Sequence, residues 1–206
     1  MNRSHMRNVT LLLFVGVLSI SASHAQLSPE MDYLVLQSGD TLVGEVAHIA
    51  ENGVGRDFYR KIRIRTLAGK KKKFHRQDVR AFRSDGQVYE QFRLSQHSNR
   101  IVLVNPKYDM DPSGERYFLR QISKGALNHY ALEWFEQGEA TLYSMDLIQK
   151  EGDMFLMRAN QGLLGLKKKV VSEYLYNCSD LVEKVNKQDL TNVTDVVAYY
   201  NYHCGY

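Results

Sequence analysis

Hydrophobic and polar positions change rhythm twice along this chain. A mainly apolar run occupies Val9–Ile20. From Tyr33 to Arg158, apolar residues come in short stretches, many alternating with polar ones and broken by glycine-containing turns. From Leu166 onward they recur at helical spacing. Period two marks half-buried strands, and a three-to-four spacing marks amphipathic helices.

The middle regime reads as consecutive hairpins. Tyr33–Gln37 and Thr41–Ala47 flank the turn Ser38-Gly39-Asp40, with Gly44 as a bulge or close-packing point. Lys61–Leu67 is the clearest strand, with Ile62, Ile64 and Thr66 on one side and Arg63 and Arg65 on the other. Ala68-Gly69 then opens a tip running through Lys70, Lys71, Lys72 and Lys73. Val79–Arg83 and Gln87–Leu94 flank Ser84-Asp85-Gly86, and Ile101–Val104 adds a further apolar run. Tyr117–Ile122 pairs with Ala126–Trp134, and Ala140–Ile148 with Met154–Arg158. The last regime predicts two or three short helices, with Ser179-Asp180 and Asn192 as caps.

The expected fold is therefore α+β and mainly antiparallel. A small bent or barrel-like sheet occupies the N-terminal half, over 26–108, and hairpins plus a helical tail occupy 109–206. Whether the two β-rich halves pack as one domain is open at this stage.

The Val9–Ile20 run follows Arg3 and Arg7 and ends at Ser23-His24-Ala25, the pattern of a secretory signal peptide over 1–25. It falls short of the roughly 20 apolar residues of a transmembrane span. The expectation is an exported protein, periplasmic, extracellular or associated with the outer membrane. Without the leader's two arginines, 25 of the 27 basic residues face 23 acidic ones. That near-balance gives no global electrostatic case for nucleic acid. In an oxidising compartment, Cys178 and Cys204 are expected to form a disulfide. An antiparallel helix pair joined near Lys187–Leu190 would bring them together.

The segment Tyr33–Val46, with Gly39-Asp40-Thr41 and Gly44, resembles the opening of an uncharacterised family of secreted Bacteroidota proteins. The resemblance extends through Asp78-Val79-Arg80-Ala81-Phe82 to the tail from Tyr176-Asn177-Cys178 to His203-Cys204. Where relatives often carry an acid before the first cysteine, this chain has Asn177. The resemblance implies an exported α+β module with a paired-cysteine helical tail, and no reaction.

Few residues suggest chemistry. Asp109, Asp111 and Ser113, with Gly114, match the first half of a calcium loop, but Arg120 stands where a bidentate carboxylate is needed. A structural turn is the expectation, with no metal or other cofactor. No G-x-S-x-G or H-E-x-x-H motif occurs; Cys178, His203 and Cys204 fall one ligand short of zinc, and Glu133 with Glu136 would need a cleft. Lys70, Lys71, Lys72 and Lys73, with Arg63 and Arg65, are the candidate anion-binding face; the alternative is a lysine-protected hairpin. The function expected is a non-enzymatic binding or structural module of the cell envelope, taking a protein or envelope component. A polyanion- or glycan-binding module is the alternative, and an unrecognised hydrolase comes last.

Overall fold

The computed structural model describes residues 31–49, 59–95, 107–135, 141–160 and 165–205. The leader, Ile101–Val104, His97 and Glu136 lie outside these residues. Among these residues are eleven antiparallel strands and three α-helices. The strands are β1 (Tyr33–Leu36), β2 (Thr41–Ile49), β3 (Lys61–Thr66), β4 (Lys71–His75), β5 (Val79–Ser84) and β6 (Gln87–Ser95), then β7 (Lys107–Met110), β8 (Glu115–Ser123), β9 (Leu127–Phe135), β10 (Leu142–Lys150) and β11 (Phe155–Arg158). The helices are α1 (Lys168–Tyr174), α2 (Ser179–Lys187) and α3 (Val193–His203).

The strand order is β4-β3-β2-β1-β5-β6-β7-β11-β10-β9-β8, and β8 pairs back onto β6. Six strands, β6 to β11, thus close a barrel, and β5 to β4 extend from it as an open arm. The branch lies on β6. One edge pairs with β8 from Tyr89 to Leu94; the other pairs with β5 over Gln87–Glu90 and with β7 at Leu94 and Ser95.

Mainly antiparallel sheet with a short helical tail is what the alternation predicts. Within it, the N-terminal half takes the form of a bent sheet. The closed ring lies further along the chain, because the β6–β8 pairing joins segments that are not consecutive.

Three apolar clusters follow from this topology. Leu94, Tyr108, Leu119, Tyr130, Met145, Leu147 and Leu156 form one cluster, drawing on each of the six ring strands, so it fills the lumen. Alternation places the neighbouring Phe118 on the barrel's outer wall. There it meets Leu34, Val46, Ile62, Ile64 and Phe82 from the arm, together with Tyr89 on the outer side of β6. Phe82 stacks on Tyr89 with ring centroids 4.6 Å apart and meets Phe118 edge-on at 5.0 Å. The third cluster lies under the helices, where Leu127, Ile148 and Ala159 receive Val171, Leu181, Val185 and Val196.

Gly44 serves close packing. At φ +155°, a Cβ there would lie 2.1 Å from the Arg65 carbonyl oxygen on β3. No side chain fits between β2 and β3 at that position.

Cys178 precedes α2 and Cys204 follows α3; they form a disulfide with Cα atoms 5.9 Å apart. The helix pair is therefore closed at its open end, as expected. Asn192 caps α3, its side chain accepting from the Asp195 N–H at 2.9 Å. The Ser179-Asp180 cap is corrected: α2 already begins at Ser179, and no side chain caps it. Side-chain bonds dock the tail on the barrel. Tyr174 Oη accepts from the Lys150 N–H at 2.7 Å and donates to Asp153 at 2.6 Å. Asn177 Oδ1 accepts from Lys150 Nζ at 2.9 Å and, within the tail, its amide donates to Tyr200 Oη at 2.9 Å. Of the terminal tyrosines, Tyr200 is buried and Tyr202 is exposed, as a short helix requires.

Candidate functional site

The lysine run is not a tip. The β3–β4 turn takes up Leu67 to Lys70, and Lys71, Lys72 and Lys73 lie in strand β4. Lysine contributes no alternation that would mark a strand. It is the pairing with β3 that sets the conformation. Arg63 lies directly opposite Lys73, and Arg65 opposite Lys71. On β2, Glu45 pairs with Arg65 and Ala47 with Arg63.

Period two then separates two faces. Ile62 and Ile64 point into the arm's core, while Arg63, Arg65, Lys71 and Lys73 stand on the exposed face. Lys72 pairs with Ile64 and belongs to the opposite row; Lys70 is in the turn. Side chains two apart on a strand are about 6.7 Å apart, and neighbouring strands are about 4.8 Å apart. The result is a two-by-two array of cations, extended by Lys61 opposite His75.

Among the described residues, Glu45 offsets the Arg63, Arg65, Lys71 and Lys73 array, through a 3.5 Å contact with Arg65 in which both side chains are more than half exposed. An exposed pair of this kind contributes little. An open groove of about 340 Å³ runs over the array, lined by Glu45, Arg63, Arg65 and Lys71 to Lys73. Like charges directly opposite each other on a sheet destabilise it. The arrangement is therefore kept at a cost in stability.

Asp109 and Asp111 lie on a strand and in the turn that follows it. Asp109 lies on β7, 3.2 Å from Lys107 Nζ. Asp111 Oδ1 accepts from the Ser113 N–H at 2.8 Å and from the Ser113 hydroxyl at 2.7 Å, and the Asp111 N–H ties the turn to the Arg93 carbonyl on β6 at 3.1 Å. Gly114 closes it where a Cβ would come within 2.6 Å of the Leu94 backbone. Among the described residues, no group of three His, Cys, Asp or Glu could hold a metal ion.

Other polar residues are engaged in packing. Glu133 is buried and both its oxygens are used, one by Arg120 Nε at 2.6 Å and the other by Tyr59 Oη at 2.9 Å. The cluster lies where the arm meets the barrel wall. Burial pushes the Tyr59 phenol far above its ordinary pKa, and the Glu133 charge adds to the shift.

His129 is also buried, with Nε2 3.0 Å from Asp146 Oδ1. Asp146 in turn bonds Asn160 through its backbone N–H, at 3.1 Å, and through its carboxylate. The histidine thus helps tie β9 and β10 to the segment following β11. Lys167 is a buried cation. It is 6 % exposed just before α1, and its pKa is lowered by burial and then by the nearby Arg158 charge. His48 lies on β2. Trp134 is half-buried against the lumen cluster and stacks on Tyr143 at 6.0 Å.

The sequence places Arg63, Arg65 and the lysines together, but not which lysines share the arginines' face. The Tyr59–Glu133–Arg120 cluster carries no local signal, since it joins segments 74 residues apart. Among the described residues, no helix is long and apolar enough to cross a membrane. Comparisons with protein-family models, with curated proteins and with solved structures find no match to this chain.

Proposed function

We propose that this protein is an exported, non-enzymatic binding module that takes an anionic partner on the exposed face of β3 and β4. The observation that carries the reading is the array of Arg63, Arg65, Lys71 and Lys73 around one exposed carboxylate. Guanidinium groups bind carboxylate or phosphate through two parallel hydrogen bonds, and ammonium groups add mobile point charges. An array of both on a rigid sheet suits a ligand bearing several anionic groups at short intervals.

The leader pattern, the disulfide and the resemblance to secreted Bacteroidota proteins support placement in the cell envelope. The covalently closed tail is suited to an environment in which the chain must persist without reducing partners.

Retention on immobilised heparin and on immobilised polyglutamate tests the reading. Wild-type protein is expected to be held at low ionic strength and released as salt shortens the Debye length from about 30 Å at 0.01 M to about 8 Å at 0.15 M. A Lys71→Glu/Lys73→Glu variant should elute early while retaining the native circular dichroism spectrum. Absence of salt-dependent retention, or equal retention of a folded variant, overturns the proposal.

A further inference from the structure

Strand β4 is the outermost strand of the arm, and among the described residues nothing pairs with its far side. The hydrogen bonds around β3 and β4 show which of its backbone groups face outward. The Thr66 N–H donates to the Lys70 carbonyl at 2.9 Å, and the Arg76 N–H to the Arg60 carbonyl at 3.0 Å. With Arg63 opposite Lys73, antiparallel alternation makes Ile64–Lys72 and Ile62–Phe74 the hydrogen-bonded pairs between those two ends. The N–H and C=O groups of Lys71, Lys73 and His75 therefore point away from β3. These are also the residues whose side chains stand on the cationic face.

Resting on the anionic-partner reading, we infer that the ligand is an extended acidic peptide that adds to β4 as a twelfth, antiparallel strand. Such a strand would pair its backbone with Lys71, Lys73 and His75. A residue directly opposite Lys71 or Lys73 in a hydrogen-bonded pair would have its Cα about 5.5 Å away and its side chain on the same face. Carboxylates at those two positions would meet Lys71 and Lys73, with Arg65 and Arg63 one strand further in.

Antiparallel pairing also sets the order of contacts. Read from its own N-terminus, an antiparallel peptide passes His75, then Phe74, Lys73, Lys72 and Lys71. Phe74 is half-buried at the rim of the arm's core. The favoured sequence is therefore an apolar residue, an acid, any residue, and a second acid. Main-chain bonds would supply affinity and the alternating side chains selectivity, as in other strand additions.

The same lysines select against the wrong occupant. A second copy presenting its own β4 would place lysine against lysine, and like charges across a ladder oppose pairing. Charge thus closes the edge to self-association and leaves it open to an acidic strand.

The test uses full-length mature protein and end-blocked synthetic peptides carrying the apolar–acid–x–acid pattern. One peptide is N-methylated on the two acidic residues, whose N–H groups would face β4. A second is N-methylated on the residue between them, and a third has the same composition with its acids adjacent. The unmodified and the second peptides should bind alike, and the first and third at least about tenfold more weakly, the order of difference expected when a ladder or a charge match is lost. Hydrogen exchange should slow at the amides of Lys71, Lys73 and His75 on binding.

If all four peptides bind equally and heparin is retained, the anionic-partner reading stands and strand addition falls. If no peptide binds and no polyanion is retained, both fall. Self-association that competes with the peptide would assign the edge to a second copy and overturn the acidic-peptide assignment.

Discussion

The side chain of Asn201 on α3 pairs with the backbone of Leu127 as a neighbouring strand would. Its Oδ1 accepts from the Leu127 N–H at 2.7 Å, and its Nδ2 donates to the Leu127 carbonyl at 2.9 Å. The contact lies 74 residues away in sequence and fixes the helical tail at the β8–β9 turn. Gly125 makes room for it: a Cβ there would fall 2.6 Å from the Asn201 amide.

Asn201→Ala should therefore cost about 2–3 kcal/mol, because it leaves a donor and an acceptor unpaired beside the buried Leu127. Chemical denaturation measures the loss. A change below about 0.5 kcal/mol, the range of a neutral surface substitution, would mean that water replaces the amide without penalty.

Lys71→Glu/Lys73→Glu should stabilise the fold while it removes binding. Each substitution turns a like-charge pair with Arg65 or Arg63 into an opposite-charge pair. The gain expected is a few tenths to about 1 kcal/mol per pair. Thermal unfolding at low salt would show it as a raised midpoint that converges on wild type as salt is added. An unchanged or lowered midpoint at low salt would show that Arg63 and Arg65 already avoid the lysines.

Reduction should loosen the tail first. The Cys178–Cys204 bridge spans 26 residues, for which the chain-entropy model gives about 3.5 kcal/mol. Hydrogen exchange after reduction should quicken across 178–205 before the barrel strands change. Alkylation of the denatured, unreduced protein should label no cysteine. Simultaneous loosening of barrel and tail would mean that the docking bonds of Tyr174, Asn177 and Asn201 carry no independent stability.

Alkaline titration should be cooperative. Burial raises the phenols of Tyr59, Tyr130 and Tyr174 above the ordinary value of 10.0, with Glu133, Glu90 and a bond to Asp153 adding to the respective shifts. In the unfolded chain these phenols ionise near pH 10, so the folded state then holds the more protons. Their contribution is present in full below that pH and falls as pH rises above it. Phenolate absorbance should show these three appearing together with the loss of native circular dichroism. Gradual ionisation in folded protein would place them in contact with solvent.

The strands were legible where glycine turns and alternation coincide, as at Tyr33–Ala47, Val79–Leu94 and Met154–Arg158. The tail's period and the Asn192 cap were equally plain. Lysine hid β4, because four identical polar residues have no period. The barrel was hidden for a different reason. Its closure depends on Tyr89 meeting Arg120 and on Phe155 meeting Asp109, contacts set by three-dimensional register. At the site, the composition of the cationic face could be read from the chain. Its division into two rows depended on the position of the β3–β4 turn.

The branch at β6 determines how the molecule can be divided. A cut near residue 108 leaves β6 on the first fragment and nearly all of the remaining ring on the second. The first fragment then exposes an unpaired strand edge, and the second has a gap in the barrel wall facing Leu119, Tyr130 and Leu147. Each piece lacks what the other carries. The two fragments should therefore be insoluble or unstructured alone and should reconstitute one folded particle when mixed, behaving as a split protein whose complementation reports whether the halves have met.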